Sequence, residues 1–170
     1  STGTYEPVGV AKSPVLLQQL ASDLVHAVRW LARQPGIDAT RIGLMGGSQA
    51  GWTMPLAAAQ EPLVRFVVVG CGVPLPYGVE VAHERHLNTL RPWPGERPSL
   101  RQVQQADAHV LDFNGERGFD PDPVLEKLTV PVFWIFGLYD HVIPTNLSID
   151  RIGGHYHYAN TGCPGQHLRK

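Results

Sequence analysis

The sequence lacks the features expected of a membrane protein, a nucleic-acid-binding protein or a disulfide-rich secreted protein. No apolar run approaches the length of about 18 residues that a spanning helix needs. The formal net charge is −1 and the basic residues are scattered, so neither nucleic acid nor an anionic membrane is expected as a partner. The N-terminus shows no basic-then-apolar signal pattern. We therefore expect a soluble, cytoplasmic protein.

Cysteine and charged residues are both scarce. Two cysteines, Cys71 and Cys163, are too few for a disulfide framework in a chain of this length. A single disulfide bond between them is one alternative. Their simplest interpretation is two small core residues. Charged residues make up 17% of the 170 residues and hydrophobic residues 43%, which predicts one globular domain over 1–170 with a real core.

What the sequence does contain is an alternation of helical and strand-like patterns. A helix is predicted from Pro14 to Gln34, with Ser13 as its N-cap and Pro35-Gly36 at its end. Its apolar residues recur three and four apart, at Leu17, Leu20, Leu24, Val28 and Leu31. Short apolar runs typical of strands buried on both faces cover residues 41–45, 64–70 and 129–137. Together these patterns predict an α/β fold with a mostly parallel sheet flanked by helices.

A polar stretch from about Tyr77 to Glu126 separates the second and third apolar runs. It carries the proline-rich motifs RPWPGERP and FDPDP. This composition predicts a lid-like insert of loops or short helices over one end of the sheet, and not a separate core.

The stretch TRIGLMGGSQAGW contains the first candidate for catalysis. An apolar run stops at Gly46 and Gly47, offers Ser48, and resumes as small residues that open a helix. A strand that turns so sharply into a helix strains the residue at the bend and exposes its side chain above the sheet. The N–H of Gln49 then points to where negative charge develops when the hydroxyl attacks a carbonyl, which is half of an oxyanion hole. The alternative is an ordinary glycine-rich turn in which Ser48 caps the helix.

A serine nucleophile needs a histidine base and an acid that orients it. Asp140 follows the apolar run that ends at Gly137, where active sites of parallel sheets form. Near the C-terminus, HYHYANTGCPGQHL is typical of one more strand and a turn that presents His167. The chain order Ser48, Asp140, His167 is that of the nucleophile elbow and its partners.

These motifs resemble the α/β-hydrolase superfamily. The segments IDATRIGLMGGSQAGW, LEKLTVPVFWIFGLYDHVIP and CPGQHL look nearest to bacterial dienelactone-hydrolase-like and prolyl-oligopeptidase-like acyl hydrolases. The resemblance implies a serine hydrolase that cleaves carboxylic esters without a cofactor, with Ser48 as nucleophile, Asp140 as acid and His167 as general base. It does not distinguish esters from thioesters or peptides. One departure from the G-x-S-x-G pattern is Ala50 two residues after the serine, with Gly51 next.

The resemblance also implies an incomplete fold. In the family several strands precede the nucleophile, whereas here only one long helix does, so we expect the N-terminal strands to be missing. The loop that supplies the second oxyanion donor would be missing with them. The strand at Arg41 to Met45 would then present an unpaired apolar edge. We expect a homo-oligomer joined at or near that strand, or a partner that supplies the missing half.

Two other kinds of function stay open. The first is a metal enzyme, which is suggested by the motif HYH, at His155 and His157, and by His141 beside Asp140. No cysteine or acidic ligand stands at a familiar spacing from them, so no metal site is predicted. In AHERHL, His83 and His86 are three apart where a zinc helix needs four, so solvated histidines are expected there. The second alternative is a truncated or inactive α/β-hydrolase-like interaction module.

The substrate of the expected enzyme is a small-molecule ester. Trp52, Met54 and Trp134 are candidates for lining an acyl pocket, with Trp52 predicted to bind substrate. The competing interpretation is that these side chains pack between helix and sheet, as periodic apolar residues usually do.

Overall fold

A computed structural model describes residues 14–90, 96–137 and the strand at 157–161. In this part of the chain five α-helices and a short 3₁₀ helix alternate with four strands. Their bounds, in chain order, are α1 (Pro14–Leu31), the 3₁₀ helix (Ala39–Arg41), β1 (Ile42–Gly47), α2 (Ala50–Gln60), β2 (Val64–Gly70), α3 (Tyr77–Leu90), α4 (Leu100–Val110), α5 (Asp122–Leu125), β3 (Val132–Gly137) and β4 (His157–Thr161).

The strands form one parallel sheet in the order β1-β2-β3-β4. In register, Gly47 lies beside Gly70, and Gly70 beside Ile135. The carboxyl ends of the strands therefore meet at one edge of the sheet, where parallel α/β folds build their sites. The predicted α/β class is confirmed, and β4 lies within the C-terminal segment predicted to contain one more strand.

The two faces of this sheet differ in how far they are covered. Val67, Val69, Trp134 and Phe136 are fully buried on one face, where α2 packs on the strands and α1 packs beside α2. The other face carries Met45, Phe66 and Phe133, which are 83%, 43% and 37% exposed. Within the described ranges the second face is thus only partly covered, although the apolar runs predicted burial on both.

Helix α1 buries a different stripe from the one its leucines suggest. The helix ends at Leu31, and its buried residues are Leu17, Ala21, Val25 and Val28. Leu24 and Leu31 are only partly buried at the margin of the core. Ala21 and Val25 therefore belong to the face that α1 buries.

Helix α2 is the central helix of the described structure. Every residue from Gly51 to Ala58 is buried, so the helix is enclosed by α1, the sheet and α5. A helix that is apolar all round must be covered all round. Nevertheless, within the ranges described above, no helix combines the length and apolar character needed to cross a membrane.

The polar segment between β2 and β3 forms helices α3, α4 and α5. Its two ends meet, because the N–H groups of Tyr77 and Gly78 donate to the carbonyls of Phe119 and Arg117 at 3.2 and 2.9 Å. A small apolar cluster holds α3 against α4; its members are Leu87, Val103 and Ala106. Loops or short helices without a separate core were predicted for this segment, whereas α3 and α4 have a small apolar cluster of their own. The lid-like role of the segment stays a prediction.

Strand β1 lies at an edge of the described sheet. It pairs with β2, and in the described part of the chain no strand pairs with its other side. Met45, near the end of β1, is the most exposed large apolar side chain described. An apolar edge strand of this kind favours pairing with another chain.

We expect the protein to self-associate through β1. The substitution Met45→Lys should shift the population toward monomer, because a charged side chain on an edge strand opposes edge-to-edge pairing. Size-exclusion chromatography with light scattering measures the shift. The matched control is Leu111→Lys, which changes another exposed apolar residue, at the end of α4. A wild-type protein that stays monomeric at all concentrations would contradict the expectation.

Candidate active site

Ser48 occupies the bend between β1 and α2. Its φ is +54°, in the left-handed region that residues other than glycine rarely adopt. Such a backbone costs on the order of 1–3 kcal/mol and persists only where its surroundings hold it. The side chain is exposed. Geometry of this kind at a strand-to-helix turn is what a nucleophile elbow requires.

Hydrogen bonds hold the bend on both sides. The Ser48 N–H donates to the carbonyl oxygens of Gly70 and Cys71, each at 3.2 Å. The Ser48 carbonyl accepts from the N–H of Gly51 at 2.9 Å. The end of β2 therefore fixes the peptide before Ser48, and the first turn of α2 fixes the peptide after it.

Gln49 is the N-cap residue of α2, and no side chain caps this helix. Among the described residues, neither the Ser48 hydroxyl nor the Gln49 N–H has a hydrogen-bond partner. The geometry therefore does not support the capping interpretation of Ser48. An open N–H at the positive end of a buried helix is suited to receive an anion.

Gly46 explains how the sequence tolerates alanine where the pattern has glycine. A Cβ atom at Gly46 would lie 2.8 Å from the Cβ of Ala50, and 3.3 Å from Sδ of Met54. The methyl group of Ala50 thus occupies space that the missing side chain of Gly46 leaves free. The close contact between positions 46 and 50 therefore needs glycine at only one of them.

Gly51 and Gly72 bring α2 against the segment after β2. A Cβ atom at Gly51 would lie 2.9 Å from the N atom of Val73, and one at Gly72 would lie 3.0 Å from Cα of Gly51. Backbone therefore packs on backbone at this point. The sequence did not indicate Gly72, because β2 separates it from the elbow motif along the chain. The two become neighbours only when β1 and β2 pair.

The predicted catalytic partners lie outside the described residues. Asp140 and His167 lie there, and so do His141 and His155. His157 is described only by its position on β4. The chain does leave β3 at Gly137, at the same sheet edge as Ser48. Convergence of the three side chains stays a prediction.

Trp52 lies inside the core, 4% exposed. Its Nε1 donates to the carbonyl of Leu75 at 3.0 Å, and its ring meets the ring of Tyr77 edge-on, with centroids 5.6 Å apart. Trp52 therefore connects the helix that follows Ser48 to the start of α3. These contacts suit a packing role, and the substrate contact predicted for Trp52 stays a prediction.

The histidines of α3 are not all solvated as expected. His83 is fully buried, with its Nε2 3.1 Å from Oδ1 of Asp107 on α4. The ring of His86 stacks on that of His109, with centroids 3.9 Å apart. The solvated prediction is wrong for His83, because α3 and α4 pack face to face. Within the described ranges no group of three or more His, Cys, Asp or Glu residues could hold a metal ion.

The bend at Ser48 lies within a segment that matches a known protein family. The model of the prolyl oligopeptidase family matches residues 16–105, more than half of the chain, with Ser48 inside the match. The chain belongs to the prolyl oligopeptidase family. The resemblance inferred from the elbow motif and the later segments is confirmed at this level.

Individual relatives of this prolyl oligopeptidase family member agree with the assignment. A thiohydrolase of Arthrinium phaeospermum is 31% identical over 133 residues, covering 71% of this chain and 43% of that protein. Acetyl xylan esterase from Paenibacillus sp. R4 has a TM-score of 0.55 at 19% identity, over 88% of this chain and 47% of the esterase. Pyrococcus horikoshii acylaminoacyl peptidase has a TM-score of 0.53 at 16% identity, over 85% and 23%. The chain therefore shares the α/β-hydrolase fold and spans less than half the length of each of these proteins.

The contact between Gly46 and Ala50 yields a double-mutant test. Gly46→Ala should lower the free energy of unfolding by about 1–3 kcal/mol, because two methyl groups would then compete for one space. Ala50→Gly alone should cost at most about 0.5–1 kcal/mol, because Ala50 is the first residue of α2 and the full glycine penalty applies to helix interiors. The double variant should be more stable than the sum of the two effects. Urea unfolding measures all three.

Gly70→Ala is the matched control for Gly46→Ala. Gly70 also lies at the carboxyl end of a strand, but an added Cβ atom would meet only the carbonyl oxygen of Gly46, at an ordinary 3.9 Å. This substitution should therefore be close to neutral. Equal losses for Gly46→Ala and Gly70→Ala, or strictly additive effects in the double variant, would contradict the proposed contact.

The stacked histidines predict an acid-sensitive contact between α3 and α4. Burial, with the neighbouring His109 and His83, lowers the pKa of His86 below its ordinary value. The unfolded chain therefore binds a proton more readily, so this contribution to stability is present above about pH 6.5 and is lost as pH falls toward the folded pKa. Thermal unfolding between about pH 7.5 and 5 should show a smaller pH dependence in His86→Gln. The control is His26→Gln on α1, and an unchanged slope in His86→Gln would refute the effect.

Proposed function

We propose that the protein is a serine hydrolase that cleaves carboxylic esters and transfers the acyl group to water. The observation that carries this proposal is the left-handed, exposed Ser48 at the N-terminus of a buried helix, on the carboxyl edge of a parallel sheet. Membership of the prolyl oligopeptidase family supports the same chemistry.

In the proposed reaction, the Ser48 hydroxyl attacks the ester carbonyl carbon while His167 accepts its proton. Asp140 orients the imidazole of His167 and stabilises the imidazolium. The tetrahedral intermediate collapses as His167 returns the proton to the departing alcohol, which leaves an acyl group on Ser48. Water, deprotonated by His167, then attacks that acyl group, and His167 returns the proton to the Ser48 oxygen as the carboxylic acid departs and the hydroxyl is restored.

The Gln49 N–H is the proposed donor to the oxygen that becomes negative. Helix α2 carries no acidic residue in its first turn, and its positive end lies at the exposed residues Ser48 and Gln49, where it can face a developing anion. One oxyanion donor is worth about 10²–10³ in turnover. Activity with Gln49 alone should therefore be well below that of a site with two donors.

A thioester is the second candidate substrate. The thiohydrolase of Arthrinium phaeospermum is the relative that favours it, at 31% identity. An acyl-enzyme mechanism accepts either leaving group, because both reactions pass through the same serine ester. The alternative of an inactive interaction module remains distinct, since it requires no reactive serine.

Labelling with a fluorophosphonate probe tests the nucleophile. The wild-type protein should be labelled at Ser48, and Ser48→Ala should not react, because only an activated serine attacks the probe. Ser22→Ala on α1 is the matched control and should label like wild type. Absence of labelling in the wild type would favour the inactive interaction module.

The same variants then separate the substrate classes. Hydrolysis of p-nitrophenyl esters of increasing acyl length should be measured beside the corresponding thioesters. We expect the larger kcat/KM for an ester, and loss of both activities in Ser48→Ala. A larger kcat/KM for every thioester would replace the ester proposal with a thioester hydrolase.

A further inference from the structure

We propose that Cys71 is a positioning residue for Ser48 and that it acts through its backbone. Its left-handed conformation turns a second carbonyl toward the Ser48 N–H and so holds the nucleophile at the bend. The inference rests on the proposed function, because it assumes that Ser48 is the nucleophile.

Ser48 and Cys71 share an uncommon backbone. They are the two non-glycine residues with positive φ in the described part of the chain, at +54° and +47°. Ser48 follows Gly47 at the end of β1, and Cys71 follows Gly70 at the end of β2; Gly47 and Gly70 are paired in the sheet. Two strained residues in hydrogen-bond contact indicate one shared arrangement.

The directions of the hydrogen bonds at Cys71 show what its conformation achieves. The Cys71 N–H donates to the carbonyl of Ile135 on β3 at 2.7 Å, as a strand residue would. Its carbonyl accepts from Ser48 at 3.2 Å, on the opposite side, after β1. In an extended strand the N–H and C=O of one residue point to the same side. The positive φ at Cys71 reverses its carbonyl and supplies Ser48 with an acceptor in addition to Gly70.

The residue after Cys71 continues the support. A Cβ atom at Gly72 would lie 3.1 Å from the Ser48 carbonyl oxygen, so residues 70–72 approach Ser48 at both its N–H and its C=O. The peptide between Ser48 and Gln49 therefore lies close against the backbone that follows β2. That peptide contains the N–H proposed to stabilise the oxyanion, so a shift at Cys71 should reach both the nucleophile and its donor.

This role predicts an order of variants that packing does not. A left-handed conformation suits glycine and asparagine, is less suited to alanine, and is least suited to the β-branched valine. Reactivity should therefore fall in the order Cys71→Gly and Cys71→Asn, then Cys71→Ala, then Cys71→Val. If Cys71 only filled space, the apolar valine and alanine would outperform asparagine and glycine.

The experiment measures the second-order rate of fluorophosphonate labelling of Ser48 in these variants. We expect Cys71→Gly and Cys71→Asn to stay near the wild-type rate and Cys71→Val to lose about tenfold, because branching at Cβ strains a left-handed backbone beyond the strain that cysteine already bears. With p-nitrophenyl acetate, kcat should fall and KM should stay constant, because no substrate contact changes. Val68→Ala on β2 is the stability control; it should lower the melting temperature without slowing labelling.

Each outcome decides a separate point. If the wild type is labelled but the rates follow side-chain volume, or if Val68→Ala slows labelling as much as Cys71→Val, the positioning role is overturned while the hydrolase proposal stands. An unlabelled wild type overturns the proposed function and this role with it. If Cys71→Val does not fold, the comparison of asparagine with alanine decides, and faster labelling of Cys71→Ala would count against the proposal.

Discussion

The contact between the bend at Ser48 and the end of β2 is the constraint on which the site depends. Two carbonyls, of Gly70 and Cys71, accept from one N–H. A hydrogen bond contributes about 0.5–1.5 kcal/mol net, so one N–H shared between two carbonyls offsets part of the cost of the left-handed residues Ser48 and Cys71. The bend can persist because the neighbouring strand supplies the acceptors, and no local sequence could hold it alone.

Close backbone packing extends this constraint into the core. Gly51 and Gly72 allow α2 to meet the segment after β2, and Gly46 leaves room for Ala50. Helix α2 is enclosed by α1, α5 and the sheet, and its N-terminus opens to the surface at Ser48 and Gln49. Burial of the helix and the position of its N-terminus beside Ser48 are therefore two consequences of one arrangement.

The helical segment between β2 and β3 is coupled to the same helix. The Trp52 side chain, four residues after Ser48, donates to Leu75 and contacts Tyr77, where α3 begins. Farther along α3, His83 and Asp107 are buried together in the contact with α4. The sequence did not predict this contact, because Asp107 lies on another helix and periodicity within α3 cannot identify a neighbour on α4.

The sequence by itself determined the α/β class, the strand-like runs and the place of the bend, because these follow from local patterns: side-chain period, glycine, proline and the length of apolar runs. Only the tertiary structure decided that α1 buries Ala21 and Val25, that Ala50 fits against Gly46, and that Cys71 and Gly72 support Ser48. Asp140 and His167 are predicted from their order in the chain and lie outside the described residues. The physical reason for the division is that strand pairing brings distant residues into contact, and the strength of such a contact is not encoded in either segment alone.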